Sequence, residues 1–131
     1  MIERKSAGLR VLVAEDELLT RWSIAESLAG SGHTVVEASD ASAAIRALTE
    51  TPAPIDVVLL DYKLEEADGL VVLAAIRRIA PFTPVVMMTV YWSPELALKA
   101  LQLGACEVVA KPFDMDDLAS LVSRAYGQRP H

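Results

Sequence analysis

Five short apolar runs constrain this chain more than any other feature. They span residues 10–14, 34–38, 55–60, 84–88 and 107–110, and each carries two valines. Short valine-rich runs bounded by turn residues read as strands. The first, third and fourth barely alternate between apolar and polar residues. That is the signature of strands covered on both faces, as in a parallel sheet. Mean hydropathy of +0.33 and an apolar share of 53% fit the same reading.

Helical periodicity fills the gaps at 17–29, 41–48, 69–79, 94–103 and 114–126. In the first of these, Ile24 and Leu28 read as the buried stripe, while Leu18, Trp22 and Ala25 fall on a different face. Residues 69–79 end in Arg77-Arg78, which suits the negative end of a helix. In 94–103, Ala97, Leu101 and Gly104 share a face, and Pro94 fits a first turn. Leu118, Leu121, Val122 and Ala125 share a face of the last segment, with Asp114 as its N-cap.

The order is therefore strand then helix, five times. This predicts a doubly wound α/β fold of three layers, flavodoxin-like, with a parallel five-stranded sheet in the order 2-1-3-4-5 and right-handed crossovers. One domain over 10–126 accounts for nearly all 131 residues, with tails at 1–9 and 127–131. The 18 acidic residues against 12 basic ones disfavour a direct nucleic-acid binder, which needs a basic surface. A single cysteine excludes an internal disulfide and a cysteine-based zinc site. No membrane-length apolar run and no secretory leader are present, so a cytoplasmic location is expected.

In such sheets ligands bind beyond the carboxyl ends of the strands. Those ends carry Glu15-Asp16 after the first strand, Asp61 after the third, Thr89 after the fourth and Lys111-Pro112 after the fifth. Three converging carboxylates repel one another unless a cation sits among them, and their hard oxygens suit Mg²⁺. A carboxylate beside a metal can also act as a nucleophile toward phosphorus, with Lys111 and the Thr89 hydroxyl receiving the phosphoryl oxygens.

Glu15-Asp16, Asp61-x-x-Leu64-x-x-x-Asp68-Gly69, Met88-Thr89, Gly104-Ala105 and Lys111-Pro112-Phe113, in this order, resemble the response-regulator receiver domain of two-component signalling. The resemblance implies a phosphorylation-dependent switch rather than an enzyme. Asp61 accepts a phosphoryl group from a histidine kinase or phosphotransfer protein. Asp16, Asp61 and the Lys63 carbonyl bind Mg²⁺, with Glu15 acting through water. Lys111 contacts the phosphoryl group, Thr89 moves toward it, and Pro112 follows a cis peptide bond. The face of the fourth helix, last strand and last helix carries output contacts or a homodimer, with Trp92 nearby. Leu18, Leu19 and Trp22 form a kinase-docking patch.

The departures from the family pattern are specific. Val108 stands where an aromatic residue is common, Val90 where the family has a small residue, and Glu65 where proline is frequent. Glu65 and Glu66 add negative charge beside the site. Tyr91 is expected to shield the acyl phosphate from water. Val108, Val90 and Glu65 favour a rival reading, a pseudo-receiver that keeps the fold without the switch. Asp16, Asp61, Thr89 and Lys111 oppose it. A phosphatase using an aspartate nucleophile is disfavoured because Lys63 stands where its general acid belongs. The sequence stops soon after the fifth helix, leaving open both a stand-alone receiver and a piece of a larger regulator.

Overall fold

The computed structural model describes residues 8–50, 52–65 and 67–130. Strands β1 (Arg10–Ala14), β2 (Thr34–Ala38), β3 (Val57–Asp61), β6 (Val85–Thr89) and β7 (Glu107–Ala110) form one parallel sheet in the order β2-β1-β3-β6-β7. The five principal strands thus lie in the expected 2-1-3-4-5 order. A further pair, β4 (Lys63–Leu64) and β5 (Ala67–Asp68), makes a small antiparallel hairpin after β3.

Side chains alternate across the sheet, and both faces are apolar. Leu12, Ala14, Val58, Leu60, Val85 and Met87 pack on one side. They meet α2 (Ala41–Glu50), α3 (Gly69–Ile79) and α4 (Pro94–Gln102) through Ala44, Leu73, Ile76 and Ala100. Val11, Val13, Val57, Leu59, Val86 and Met88 point to the other side. There they meet α1 (Leu18–Gly30) and α5 (Leu118–Gly127) through Ile24, Leu28, Leu118, Leu121, Val122 and Ala125. The period-two pleat explains how valine-rich runs without polar alternation serve two cores at once.

The structure corrects several sequence readings. Ala25 is buried beside Ile24 and Leu28, because it lies three residues before Leu28, on the same helical face. On α4 the buried residue is Ala100, whereas Leu101 is exposed. α2 continues to Glu50. Asp114 caps a short 3-10 turn, Met115–Asp117, that precedes α5. Leu9, placed by sequence in the tail, is fully buried, and its N–H donates to Nδ1 of the buried His33 at 3.1 Å. Residues 1–7, Thr51, Glu66 and His131 lie outside the described residues.

Candidate functional site

The carboxyl ends of β1, β3, β6 and β7 open into one cavity of about 610 Å³. Glu15, Asp16, Asp61, Lys63, Thr89, Val90, Tyr91, Lys111 and Pro112 all line it. Its position follows from topology, since neighbouring parallel strands present their following loops to the same edge.

Glu15 is held from several directions. Its N–H donates to the Ala38 carbonyl of β2 at 3.0 Å, and its own carbonyl accepts from Arg21 at 2.9 Å. Its carboxylate accepts from the Glu17 N–H at 3.0 Å and from Lys111 Nζ at 2.5 Å. Asp16 accepts from the Glu65 N–H at 2.9 Å, which ties the β1–α1 loop to the β4–β5 turn. Glu65 holds this position with a φ of 54°, a left-handed conformation rare outside glycine and asparagine. Asp61 is nearly inaccessible, and one of its oxygens lies 3.3 Å from Lys111 Nζ.

Lys111 therefore bridges two buried carboxylates. Burial pushes the Asp61 pKa upward, and the charge of Glu15 adds to it. The Lys111 ammonium opposes both, and the balance stands at about 6, above the ordinary 3.8. Burial works against the charged form of Lys111, but its hydrogen bond to Glu15 and the nearby carboxylates outweigh this and raise its pKa. One lysine does not neutralise Glu15, Asp16 and Asp61 together. Oxygens of these three residues lie within 4.8 Å of one another, a donor set that fits a hard divalent cation.

Thr89 has no exposed surface, and its hydroxyl oxygen accepts from the Tyr91 N–H at 2.9 Å. That leaves the hydroxyl proton to donate into the site. The Lys111–Pro112 peptide is cis. Val90 and Tyr91 are exposed at the rim, while Val108 is half-buried on β7 outside the cavity lining. Leu18, Leu19 and Trp22 are exposed on α1, beside the Glu17 and Thr20 that line the cavity. Sequence reasoning did not anticipate the Lys111–Glu15 contact or the Arg21 hold on the β1–α1 loop. Each depends on side-chain reach between separate elements and leaves no local signal.

Asp68 accepts from the Leu70 N–H at 2.8 Å and so caps α3. Gly69 follows it because space forbids anything larger. A Cβ there would stand 2.2 Å from the Tyr62 carbonyl oxygen. The close backbone passage brings the loop after Asp61 tightly back onto α3.

Comparison with known proteins agrees with this geometry. Residues 11–123 match the family model described as the response regulator receiver domain. The DNA-binding transcriptional regulator NtrC of Escherichia coli (strain K12) is 36% identical over 116 residues, covering 88% of this chain and 24% of NtrC. The putative response regulator NtrX-like of Rickettsia conorii is 34% identical over 119 residues, covering 89% of this chain and 25% of that protein. The chain thus spans about a quarter of the length of the curated relatives it matches. The crystal structure of the NtrX receiver domain from Brucella abortus superposes with a TM-score of 0.81 at 34% identity, covering 89% of this chain and 98% of that one. A receiver domain from Clostridium thermocellum gives 0.84 at 30% identity, covering 92% and 95%. The chain belongs to the response regulator receiver domain family.

Proposed function

We propose that this chain is a phosphorylation-dependent switch, with Asp61 as the phosphoacceptor and a histidine kinase or phosphotransfer protein as donor. The observation that carries the reading is the convergence of Asp61, Lys111 and Thr89 on one cavity, with Glu15 and Asp16 completing a three-carboxylate cluster around Asp61. Asp16, Asp61 and the Lys63 carbonyl would hold Mg²⁺, with Glu15 acting through water. The ion would supply charge neutralisation for the transferring phosphoryl group.

The residues divide the work. An Asp61 carboxylate oxygen forms the new O–P bond. The P–N bond of the donor phosphohistidine breaks, and its electron pair leaves with the imidazole nitrogen, which takes up a proton. Lys111 gives up part of its contact with Asp61 and meets a phosphoryl oxygen as a point charge. The Thr89 hydroxyl donates to another, which biases the loop after β6. Inverting a population from 1:99 to 99:1 requires about 5.5 kcal/mol of differential stabilisation. Leu18, Leu19 and Trp22 would receive the donor protein, since they stand exposed on α1, whose Thr20 lines the cavity. Tyr91, exposed at the cavity rim, would slow water attack on the acyl phosphate. Faster dephosphorylation of Tyr91→Ala is expected, and an unchanged rate removes that role. A cytoplasmic protein whose output is a change of protein contacts fits these roles. No described helix is long and apolar enough to cross a membrane.

The test is intact-protein mass after incubation with Mg²⁺ and phosphoramidate, with Asp61→Asn alongside. One added phosphoryl group in the wild type alone supports the reading. No addition, with phosphoramidate or with a kinase donor, favours a pseudo-receiver that keeps the fold without the switch.

A further inference from the structure

The loop between β6 and α4 is held at two points. The first is the hydrogen bond from the Tyr91 N–H to the Thr89 hydroxyl oxygen, at 2.9 Å. The second lies one residue further on. The Trp92 indole N–H donates to the backbone carbonyl of Val108, in the edge strand β7, at 3.3 Å. Ser93 then caps α4 by accepting from the Leu96 N–H at 3.0 Å. Trp92 is therefore the side chain that pins the start of α4 to the sheet edge.

The rest of that helix is thinly packed. Among the described α4 residues only Ala100 is buried, while Leu98 and Leu101 are exposed. Trp92 itself is 46% exposed, so its ring is not locked in a core. At 3.3 Å and open to solvent, its hydrogen bond is long and replaceable by water. It is a hold that a small backbone shift breaks.

We infer that Trp92 is a positioning residue of the switch, one that acts through the β6–α4 loop. Its bond to the Val108 carbonyl fixes α4 in the unphosphorylated state and is released when Thr89 turns toward the phosphoryl group. This rests on Asp61 being the phosphoacceptor. The chain of contact is short. Thr89 already has its hydroxyl proton free for the site, and drawing that hydroxyl onto a phosphoryl oxygen would pull on the bond it accepts from the Tyr91 N–H. Tyr91 and Trp92 are adjacent, so a shift at one is transmitted to the other by covalent geometry alone. Loss of the indole bond then frees the α4 N-terminus and its exposed leucines to move as a unit.

The test follows the indole N–H resonances of the two tryptophans in ¹⁵N-labelled protein, with Trp92→Phe assigning the signals. Mass spectrometry runs on the same samples, with Mg²⁺ and phosphoramidate. The expected result is an added phosphoryl group together with a shifted Trp92 signal whose hydrogen exchange is at least tenfold faster. An added group with an unchanged Trp92 signal overturns the inference and leaves the phosphoacceptor reading intact. No added group, with phosphoramidate and with a kinase donor alike, overturns both. A second comparison needs no phosphorylation. Trp92→Phe keeps the ring and loses the donor, so its α4 amides should exchange several-fold faster than in the wild type while those of β3 do not change. Equal α4 protection in the two proteins overturns the hold.

Discussion

β3 and β7 flank β6 on opposite sides, and they are packed very differently. All five residues of β3 are buried, and α3 and α5 each bury four residues against the sheet. None of the four residues of β7 is buried, and α4 contributes only Ala100. The site sits across this divide. Asp61, Glu15 and Asp16, which must hold charge in place, are mounted on the densely packed side. Thr89 and the loop after it, which would move under the proposed switch, adjoin the thin side. Regions with few buried apolar contacts open at lower free energy, so the packing fits the division of roles proposed above.

The largest effect should come from the dense side. Leu60→Ala removes a fully buried β3 side chain and should cost about 2–5 kcal/mol in denaturant unfolding. Leu101→Ala, on exposed α4, should stay within about 0.5 kcal/mol. Similar losses at both positions would break the comparison.

The next effect tests the charge held on that side. Because the folded-state pKa of Asp61 is raised to about 6, folding binds the proton more tightly than the unfolded chain does. This contribution is fully present below the ordinary 3.8 and is lost as pH rises through about 6. In metal-free protein, Asp61→Asn should therefore be more stable than the wild type by about 1–3 kcal/mol at pH 8, and the gap should close near pH 4. Urea midpoints across that range decide it. A gap that does not change with pH would mean that Lys111 already neutralises Asp61 in full.

At the opposite end of the sheet the sign reverses. Burial lowers the His33 pKa, and its Nδ1 must stay unprotonated to accept from the Leu9 N–H. Its contribution is present above 6.5 and is lost as pH falls through the lowered folded value. His33→Asn should flatten the acid limb of the metal-free stability profile, an effect of about 1 kcal/mol. An acid limb unchanged by the substitution would assign it to other groups.

How much of this was legible in the sequence follows from the same physics. Strand order and both cores were readable because valine pairs recur where a two-sided sheet needs them, as in Val57-Val58 and Val85-Val86. The site's residues were readable because strand ends carry them. The β4–β5 hairpin was not, since two-residue strands have no period to detect. Leu9 precedes a charged residue and reads as tail, yet a histidine 24 positions away holds it in the core. The asymmetry between β3 and β7 was legible only in part, from the order that puts the fifth strand at an edge. Val108-Val109 looks as apolar as Val57-Val58, yet Val108 faces the α4 side and Val109 the α5 side, and both stay half-exposed on this edge strand.

A substitution with little expected effect on stability carries the most information about the thin side. Thr89→Val keeps the side chain's shape and removes the hydroxyl that accepts from the Tyr91 N–H. Tyr91 is exposed, so water can take over that donor, and the cost should stay below about 1 kcal/mol. The valine cannot donate to a phosphoryl oxygen. Hydrogen exchange across α4 should therefore rise on phosphorylation in the wild type and stay flat in Thr89→Val, even when mass shows that both carry the phosphoryl group. A rise of equal size in both proteins would route the signal through the Lys111–Pro112 turn instead. The thin flank would then respond to charge rather than to the Thr89 hydroxyl.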